Sequence, residues 1–241
     1  AGQVNENDNN KNRTYPAIDR RVAETYAKDS AASNKNALSD PYVKAFRMAS
    51  DRILSRGEGV VCFVTNSGFL DGIAFDGMRT HLRRDFDRIW LFDLRGNARS
   101  SGEQRRKEKG NVFNDTIRVG VAITMMECCT RSSGQPARIL LSRLGDYLES
   151  HEKQQLVARA VCFADMDMRE LDPAVNEGWL GVRMADDWRV NIPLGGKATS
   201  GEATLFALVS NGVKTNRDAW AYNFSRDVLT ACMRRHISAY N

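Results

Sequence analysis

Cysteine and histidine are scarce in this chain, and the few present lack the spacing their chemistry requires. The five cysteines, Cys62, Cys128, Cys129, Cys162 and Cys232, include no Cys-x-x-Cys pair and no adjacent histidine, which excludes a tetrahedral metal site of the usual spacing. They read as reduced thiols. His81, His151 and His236 lie on charged stretches; they are expected to be solvated, and no spacing assembles them into a nucleophile triad. No apolar run approaches about 18 residues, so no segment reads as a membrane-spanning helix. No charged, apolar, small-residue signal opens the chain, and a cytoplasmic location is expected.

Phosphate-loop chemistry is missing as well. Around Gly195-Gly196-Lys197, Asn191 stands where the upstream glycine belongs and Ala198 where a metal-binding Ser or Thr belongs. Gly57-Glu58-Gly59 precedes an apolar run instead of following one and opening a helix, so it is no dinucleotide fingerprint. A PD-x-E-x-K nuclease core is also absent.

What remains is a chain of 241 residues, 42% hydrophobic, with a formal net charge of +5. That is enough apolar material for a folded core and too little net charge to name a partner. Charge placement says more. Between Ala98 and Lys109, the basic residues Arg99, Arg105, Arg106, Lys107 and Lys109 outnumber Glu103 and Glu108, without apolar periodicity. A mobile basic loop is expected there, either merely solvated or binding phosphate.

Asn5 to Asn12 is a polar tract that favours loop. Helical spacing appears from Ile18 to Ala27 and again after Asp40, an N-cap, and Pro41 at the first helical position; Gly57 and Gly59 end that helix. Val60 to Thr65 is a short β-branched run bounded by glycine, which predicts a strand buried on both faces. Ile73 to Phe86 is amphipathic, with Phe75, Met78, Leu82 and Phe86 inward and Arg79, Arg83 and Arg84 mostly outward. Ile89 to Phe92 and Val119 to Met126 predict two more strands. The order predicts an α/β layered sheet with ligands at the carboxyl ends of its strands. From Arg131 to Pro136 the chain is turn material, and a boundary is placed near 130. Beyond it, Leu148 to Ala160 reads as helix. Trp179, Trp188, Pro193 and Gly195-Gly196 read as loops and short strands, and Asp227 to Ile237 as a helix with Val228, Leu229, Cys232 and Met233 inward.

Taken as an ordered series, these blocks carry more than any one of them. Tyr42 to Ile53, Gly59-Val-Val-Cys-Phe-Val-Thr-Asn-Ser-Gly-Phe-Leu70, Phe75-Asp-Gly-Met-Arg-Thr-His-Leu82, Phe86-Asp-Arg-Ile-Trp-Leu-Phe-Asp-Leu-Arg-Gly-Asn97, Asn111-Val-Phe113 and Val119-Gly-Val-Ala-Ile123 closely resemble the region after the catalytic tetrapeptide in adenine-specific DNA methyltransferases of the amino-group class. The likeness is strongest to the methylase segment of single-chain Type ISP restriction–modification enzymes. Asn211-Gly-Val-Lys-Thr-Asn-Arg-Asp-Ala-Trp-Ala-Tyr-Asn223 looks like a signature of the same group.

The resemblance implies the carboxyl-terminal half of a Rossmann-like methyltransferase sheet over residues 1–130, three or so strands flanked by helices. A smaller mixed α+β region over 131–241 would be the connecting region or the start of a target-recognition region. The family's glycine-rich cofactor loop and Asn-Pro-Pro-Tyr tetrapeptide are not in this sequence, which opens on Ala1-Gly2, as an excised piece of something longer would. No catalytic residue is therefore assigned, and the piece alone is expected to be inactive. Its partners would be double-stranded DNA and the missing amino-terminal half of the same polypeptide, with no membrane. Its cofactor in the complete domain would be S-adenosylmethionine.

An enzyme acting on a base amino group must flip the nucleotide and hold it against an aromatic. Phe113 matches by position the aromatic that stacks on the flipped base; capping the hydrophobic core is its other reading. Tyr42 matches a family aromatic near the cofactor's adenine, or is core packing. Thr65 and Asn66, at the end of the first strand, border the cofactor or base pocket, or form a turn. Arg95, Asn97, Arg99, Arg105 and Arg106, beyond the second strand, are candidates for DNA phosphate contacts. Arg217 either contacts the DNA backbone or pairs with Asp218 as a latch between domains. The competing readings are a stand-alone DNA-binding module without catalysis and a complete small enzyme of another class.

Overall fold

A computed structural model describes residues 15–114, 116–129, 135–160, 162, 166–173, 178–180, 192, 195, 203–206 and 221–240. Asn5 to Asn12, Trp188, Pro193 and the Asn211 to Trp220 stretch with Arg217 lie outside the described residues. The chain forms two compact units, Ala1–Arg183 and Met184–Asn241.

In the first unit, α1 (Pro16–Val22) runs on into a π-helical turn, Ala23–Ala27. Helix α2 (Pro41–Arg56) begins where its caps dictate: the Asp40 carboxylate accepts the Tyr42 backbone N–H at 3.4 Å, and Gly57 ends the helix at φ +89°. Strand β1 (Gly59–Asn66) leads through two 3₁₀ turns into α3 (Asp76–Asp85). Strand β2 (Arg88–Arg95), helix α4 (Gly102–Glu108), strands β3 (Val121–Cys128) and β4 (Arg138–Arg143), helix α5 (Ser150–Arg159) and strand β5 (Arg169–Leu171) follow.

The five strands make one sheet in the order β1-β3-β2-β4-β5. Strand β3 lies between β1 and β2 and runs antiparallel to both, whereas β4 runs parallel to β2. The carboxyl ends of β1, β2 and β4 therefore open on the same edge. One face of the sheet carries Val61, Phe63, Ile89, Leu91, Met126, Ile139 and Leu141 against Phe46 of α2 and Met78 and Leu82 of α3. The other face is covered towards the open edge by Phe92, Leu94, Val112, Val121 and Leu144, with Leu148 and Val157 packed on them. Phe46, Met78, Leu82 and Leu91 are fully enclosed; truncating any one to alanine is a loss of about 2–5 kcal/mol. Helix α3 reaches its seat because Gly77 has no side chain: a Cβ there would lie 2.1 Å from the Tyr26 carbonyl oxygen.

Several expectations change. Strand β1 is not buried on both faces: Val61 and Phe63 turn to the core packed on Phe46 of α2, which leaves Val60 and Val64, on the opposite face, exposed. Arg79 does not face outward; it is 3% exposed and donates to the carbonyls of Phe69 and Gly72 at 2.9 and 2.8 Å, tying down the 3₁₀ turns. His81 is not solvated but buried, with Nε2 2.7 Å from Asp29 and Arg84 Nη2 2.6 Å from Nδ1. The boundary near 130 gives way to one between Arg183 and Met184, since β4 joins the same sheet through parallel pairing with β2. The basic stretch is not a mobile loop: its middle is helix α4, stabilised by Arg106 to Glu103 and Gln104 to Glu108 side-chain pairs one turn apart.

In the second unit, α6 (Arg226–Tyr240) leaves Leu229, Cys232 and Met233 half-buried. Val228, expected inward, is exposed. Among the described residues, no helix is long and apolar enough to cross a membrane.

Candidate functional site

At the edge where β1 and β2 end, a cavity of about 680 Å³ opens. It exists because the turn after β1 and the loop after β2 diverge, leaving the strand ends as a floor. Tyr42 and Phe75 form an apolar wall, Asn66, Ser67 and Gly68 a turn on one side, and Asn97, Arg99 and Ser100 the opposite rim. Asp40, Asp71, Asp93 and Glu108 line it against Arg99 and Arg143. An acid-rich interior repels phosphate and suits a cation or the donor edge of a base.

The tightest electrostatics lie on the floor. Asp93, two residues before the end of β2, lies side by side with Arg143, the last residue of β4, and Arg143 Nε sits 2.8 Å from its Oδ2. Burial pushes the Asp93 carboxyl above the usual carboxylate range; Arg143 and the backbone N–H of Arg95 pull it back in part. Arg95 takes a left-handed conformation, φ 60°, which turns its side chain inward. Its Nε donates to Glu108 at 3.2 Å, and its Nη1 donates to the Leu144 carbonyl at 3.4 Å and pairs with Asp146. The guanidinium is 4% exposed. Arg95 is thus withdrawn from the phosphate candidates: its charge is spent inside the protein.

The other expected residues separate into groups. Tyr42 is 6% exposed, packed among Phe46, Phe69 and Phe75, yet it borders the cavity, and its buried hydroxyl has no hydrogen-bond partner among the described residues. Asn66 borders the cavity and also shapes the turn, its side chain accepting the Gly68 N–H at 2.8 Å. Thr65 is half-buried, pairs with Ala122 in the sheet and is not part of the cavity wall. Asn97 caps the rim turn by accepting the Arg99 N–H at 3.0 Å. Arg99 is exposed on that rim. Arg105 donates to the Lys109 carbonyl at 2.7 Å, and Arg106, 77% exposed, pairs with Glu103 at 3.2 Å.

Phe113 stands out from the loop between α4 and β3, 54% exposed. Its neighbour Asn111 is buried and donates to the Val119 carbonyl at 3.0 Å while accepting the Phe113 N–H at 3.1 Å. This geometry displays the ring and leaves core capping to Val112. Sequence reasoning missed Asp93, Glu108 and Arg143; a charged residue closing an apolar strand run, as in Trp90-Leu-Phe-Asp93 and Leu140-Leu-Ser-Arg143, was the available signal. It also missed Tyr147, an exposed aromatic at φ 64° whose hydroxyl donates to Glu103 at 2.6 Å. Among the described residues no group of His, Cys, Asp and Glu is arranged to hold a metal ion.

Comparison with known proteins adds context. Residues 204–241 match the model of the Type ISP C-terminal specificity domain. No curated protein matches the chain. Among solved structures, a cryo-EM structure of a DrdV–DNA complex is 37% identical, with a TM-score of 0.84 over 98% of this chain and 23% of that one. A nuclease-deletion mutant of the Type ISP restriction–modification enzyme LlaGI, in complex with a DNA substrate mimic, is 31% identical, with a TM-score of 0.84 over 97% of this chain and 21% of that one. The ATP-dependent Type ISP enzyme LlaBIII bound to DNA is 29% identical, with a TM-score of 0.81 over 98% of this chain and 16% of that one. The chain is therefore similar to a segment of Type ISP restriction–modification enzymes and spans less than a quarter of these relatives' length.

Proposed function

We propose that the chain works within a larger Type ISP-like restriction–modification polypeptide as a DNA-contacting segment. Its first unit serves as the carboxyl-terminal half of an adenine-N6 methyltransferase domain and its second as the beginning of the specificity domain. The observation that carries this reading is the division of labour on one edge of the sheet. The acid-lined cavity bordered by Tyr42 and Asn66 suits a base or a cationic cosubstrate, the exposed cations Arg99 and Arg106 suit phosphates, and Phe113 stands free to stack. Stacking of a base on such a ring contributes about 1–3 kcal/mol.

S-Adenosylmethionine fits part of this cavity. The aromatic wall of Tyr42 and Phe75 beside the Asn66 turn suits a heteroaromatic ring with hydrogen-bonding edges, and the carboxylates suit a sulfonium. When bound, the cosubstrate supplies the methyl group. The chain's own part is to wall one side of the site, exclude water there and present Phe113. The exposed outer face of β1, with Val60, Cys62 and Val64, fits continuation of the protein onto the preceding half of such a domain.

A second reading, DNA recognition without a methyltransferase role, is favoured by the specificity-domain match at residues 204–241. Calorimetric titration with S-adenosylmethionine separates the two. This chain alone shows no binding near micromolar concentrations, whereas a polypeptide that restores the upstream half binds. Absence of binding by the longer polypeptide leaves only the recognition reading.

A further inference from the structure

Helix α5 reads the backbone of the segment that carries Phe113. Lys153 is fully enclosed, and its Nζ donates to the carbonyls of Glu108 and Gly110 at 2.9 and 2.7 Å. One residue on, Gln154 Nε2 donates to the Val112 carbonyl at 2.8 Å. Three carbonyls at alternate positions, 108, 110 and 112, are thus gripped by two adjacent side chains of one helix. The fit is close: a Cβ on Gly110 would lie 2.5 Å from Ser150 Oγ, and Lys109 pairs with Glu149 at the start of the same helix. From the opposite side, Asn111 bonds the Val119 carbonyl and the Phe113 N–H.

An enclosed ammonium is a costly means of holding a loop, since an apolar side chain of similar volume avoids the desolvation. What the ammonium adds is direction. Enclosed away from water, its donors hold the Glu108 and Gly110 carbonyls together, and the first of these closes α4, where the helix dipole favours a cation. Desolvation lowers the Lys153 pKa, opposed mainly by Glu108.

We infer that Lys153 and Gln154 are positioning residues that hold segment 108–113 in the one conformation that presents Phe113 for stacking on an extrahelical base. This rests on the stacking reading of Phe113 given above. The two residues touch no base themselves; they fix the backbone from which the ring projects, so that little ordering remains to be done on binding.

The test uses the whole chain and a duplex in which 2-aminopurine faces an abasic site, so that the fluorescent base is extrahelical and is quenched when it stacks. Lys153→Met is expected to raise the protein concentration for half-quenching about tenfold, the equivalent of one charge-assisted hydrogen bond, and Gln154→Ala about fivefold, the equivalent of one neutral hydrogen bond. Anisotropy of an ordinary duplex stays within about twofold, because phosphate contacts are untouched. Amide hydrogen exchange accelerates at residues 110–114 and not in β2 or β3. If both variants quench like the parent while Phe113→Ala abolishes quenching, the positioning role is overturned and the stacking reading survives. If Phe113→Ala quenches like the parent, the stacking reading falls and takes the inference with it. Should Lys153→Met melt below the assay temperature, Gln154→Ala decides alone, since that side chain is largely exposed.

Discussion

Arg143 Nε lies 2.8 Å from Asp93 Oδ2, joining the ends of two parallel neighbouring strands on the floor of the cavity. The carboxylate is 2% exposed and the guanidinium 33%, so the pair has one anchored and one reachable partner. Removing the reachable one strands a buried charge. Arg143→Met is expected to cost about 3 kcal/mol, and the double variant with Asp93→Asn to recover most of it. Urea denaturation of the four proteins in this cycle gives the coupling, and equal stability of single and double variants would contradict the pairing.

Gly77 and Gly57 separate two kinds of glycine requirement. Gly77 sits where a Cβ would strike the Tyr26 carbonyl, whereas Gly57 has open space around it but φ +89°. Gly77→Ala should cost about 1–3 kcal/mol through overpacking and shift α3 against the π-helical turn. Gly57→Ala should cost about 1 kcal/mol through backbone strain alone. The order of their denaturation midpoints checks this.

His81 makes stability depend on pH in one direction. Arg84 donates to its Nδ1, which leaves Nε2–H to face Asp29, so the buried ring is neutral. Burial lowers its pKa, helped by Arg84 and opposed by Asp29 and Asp85. The folded state therefore binds a proton less readily than the unfolded chain, whose histidine titrates near about 6.5. The contribution is present above that pH and is lost as pH falls through the lowered folded value. The stability advantage of the parent over His81→Gln should accordingly be constant above about pH 6.5 and shrink as pH falls below it; a constant difference in calorimetric melts there would refute it.

Arginines that look alike in the sequence should behave differently on DNA. Arg99→Ala and Arg106→Ala remove exposed cations and should each lower the slope of log affinity against log salt by about 1, with a stability loss of at most about 0.5 kcal/mol, from the Arg106–Glu103 pair. Arg95→Ala removes a 4% exposed guanidinium from Glu108 and Asp146 and should cost about 3 kcal/mol of stability while leaving the slope unchanged. Fluorescence anisotropy at several salt concentrations and thermal melts distinguish the two classes.

The resemblance drawn from ordered blocks found its structural counterpart in segments of Type ISP enzymes. The residue-level reading was more mixed. Asp40, Pro41 and Gly57 announced α2 correctly because caps act over three or four residues. The sequence left Phe113 open between display and core capping, and the structure puts its ring outside at 54% exposure. Helix α4 was hidden because a charge-rich helix shows no apolar stripe and is held by its own one-turn pairs. Nothing local marked Lys153 as enclosed, since its acceptors are backbone carbonyls 43 and 45 residues away.

The sequence by itself determined where α2 begins and ends and that α2, α3 and the first strands carry apolar sides to bury, because capping, β-branching and periodicity act through near neighbours. Only the tertiary structure decided that β3 slips between β1 and β2, that Arg95 and Arg79 turn inward while Arg99 stays out, and that the strand ends enclose a cavity. Those outcomes depend on partners far along the chain, such as Asp146, 51 residues beyond Arg95. A charge can leave water only where such a partner is brought to meet it.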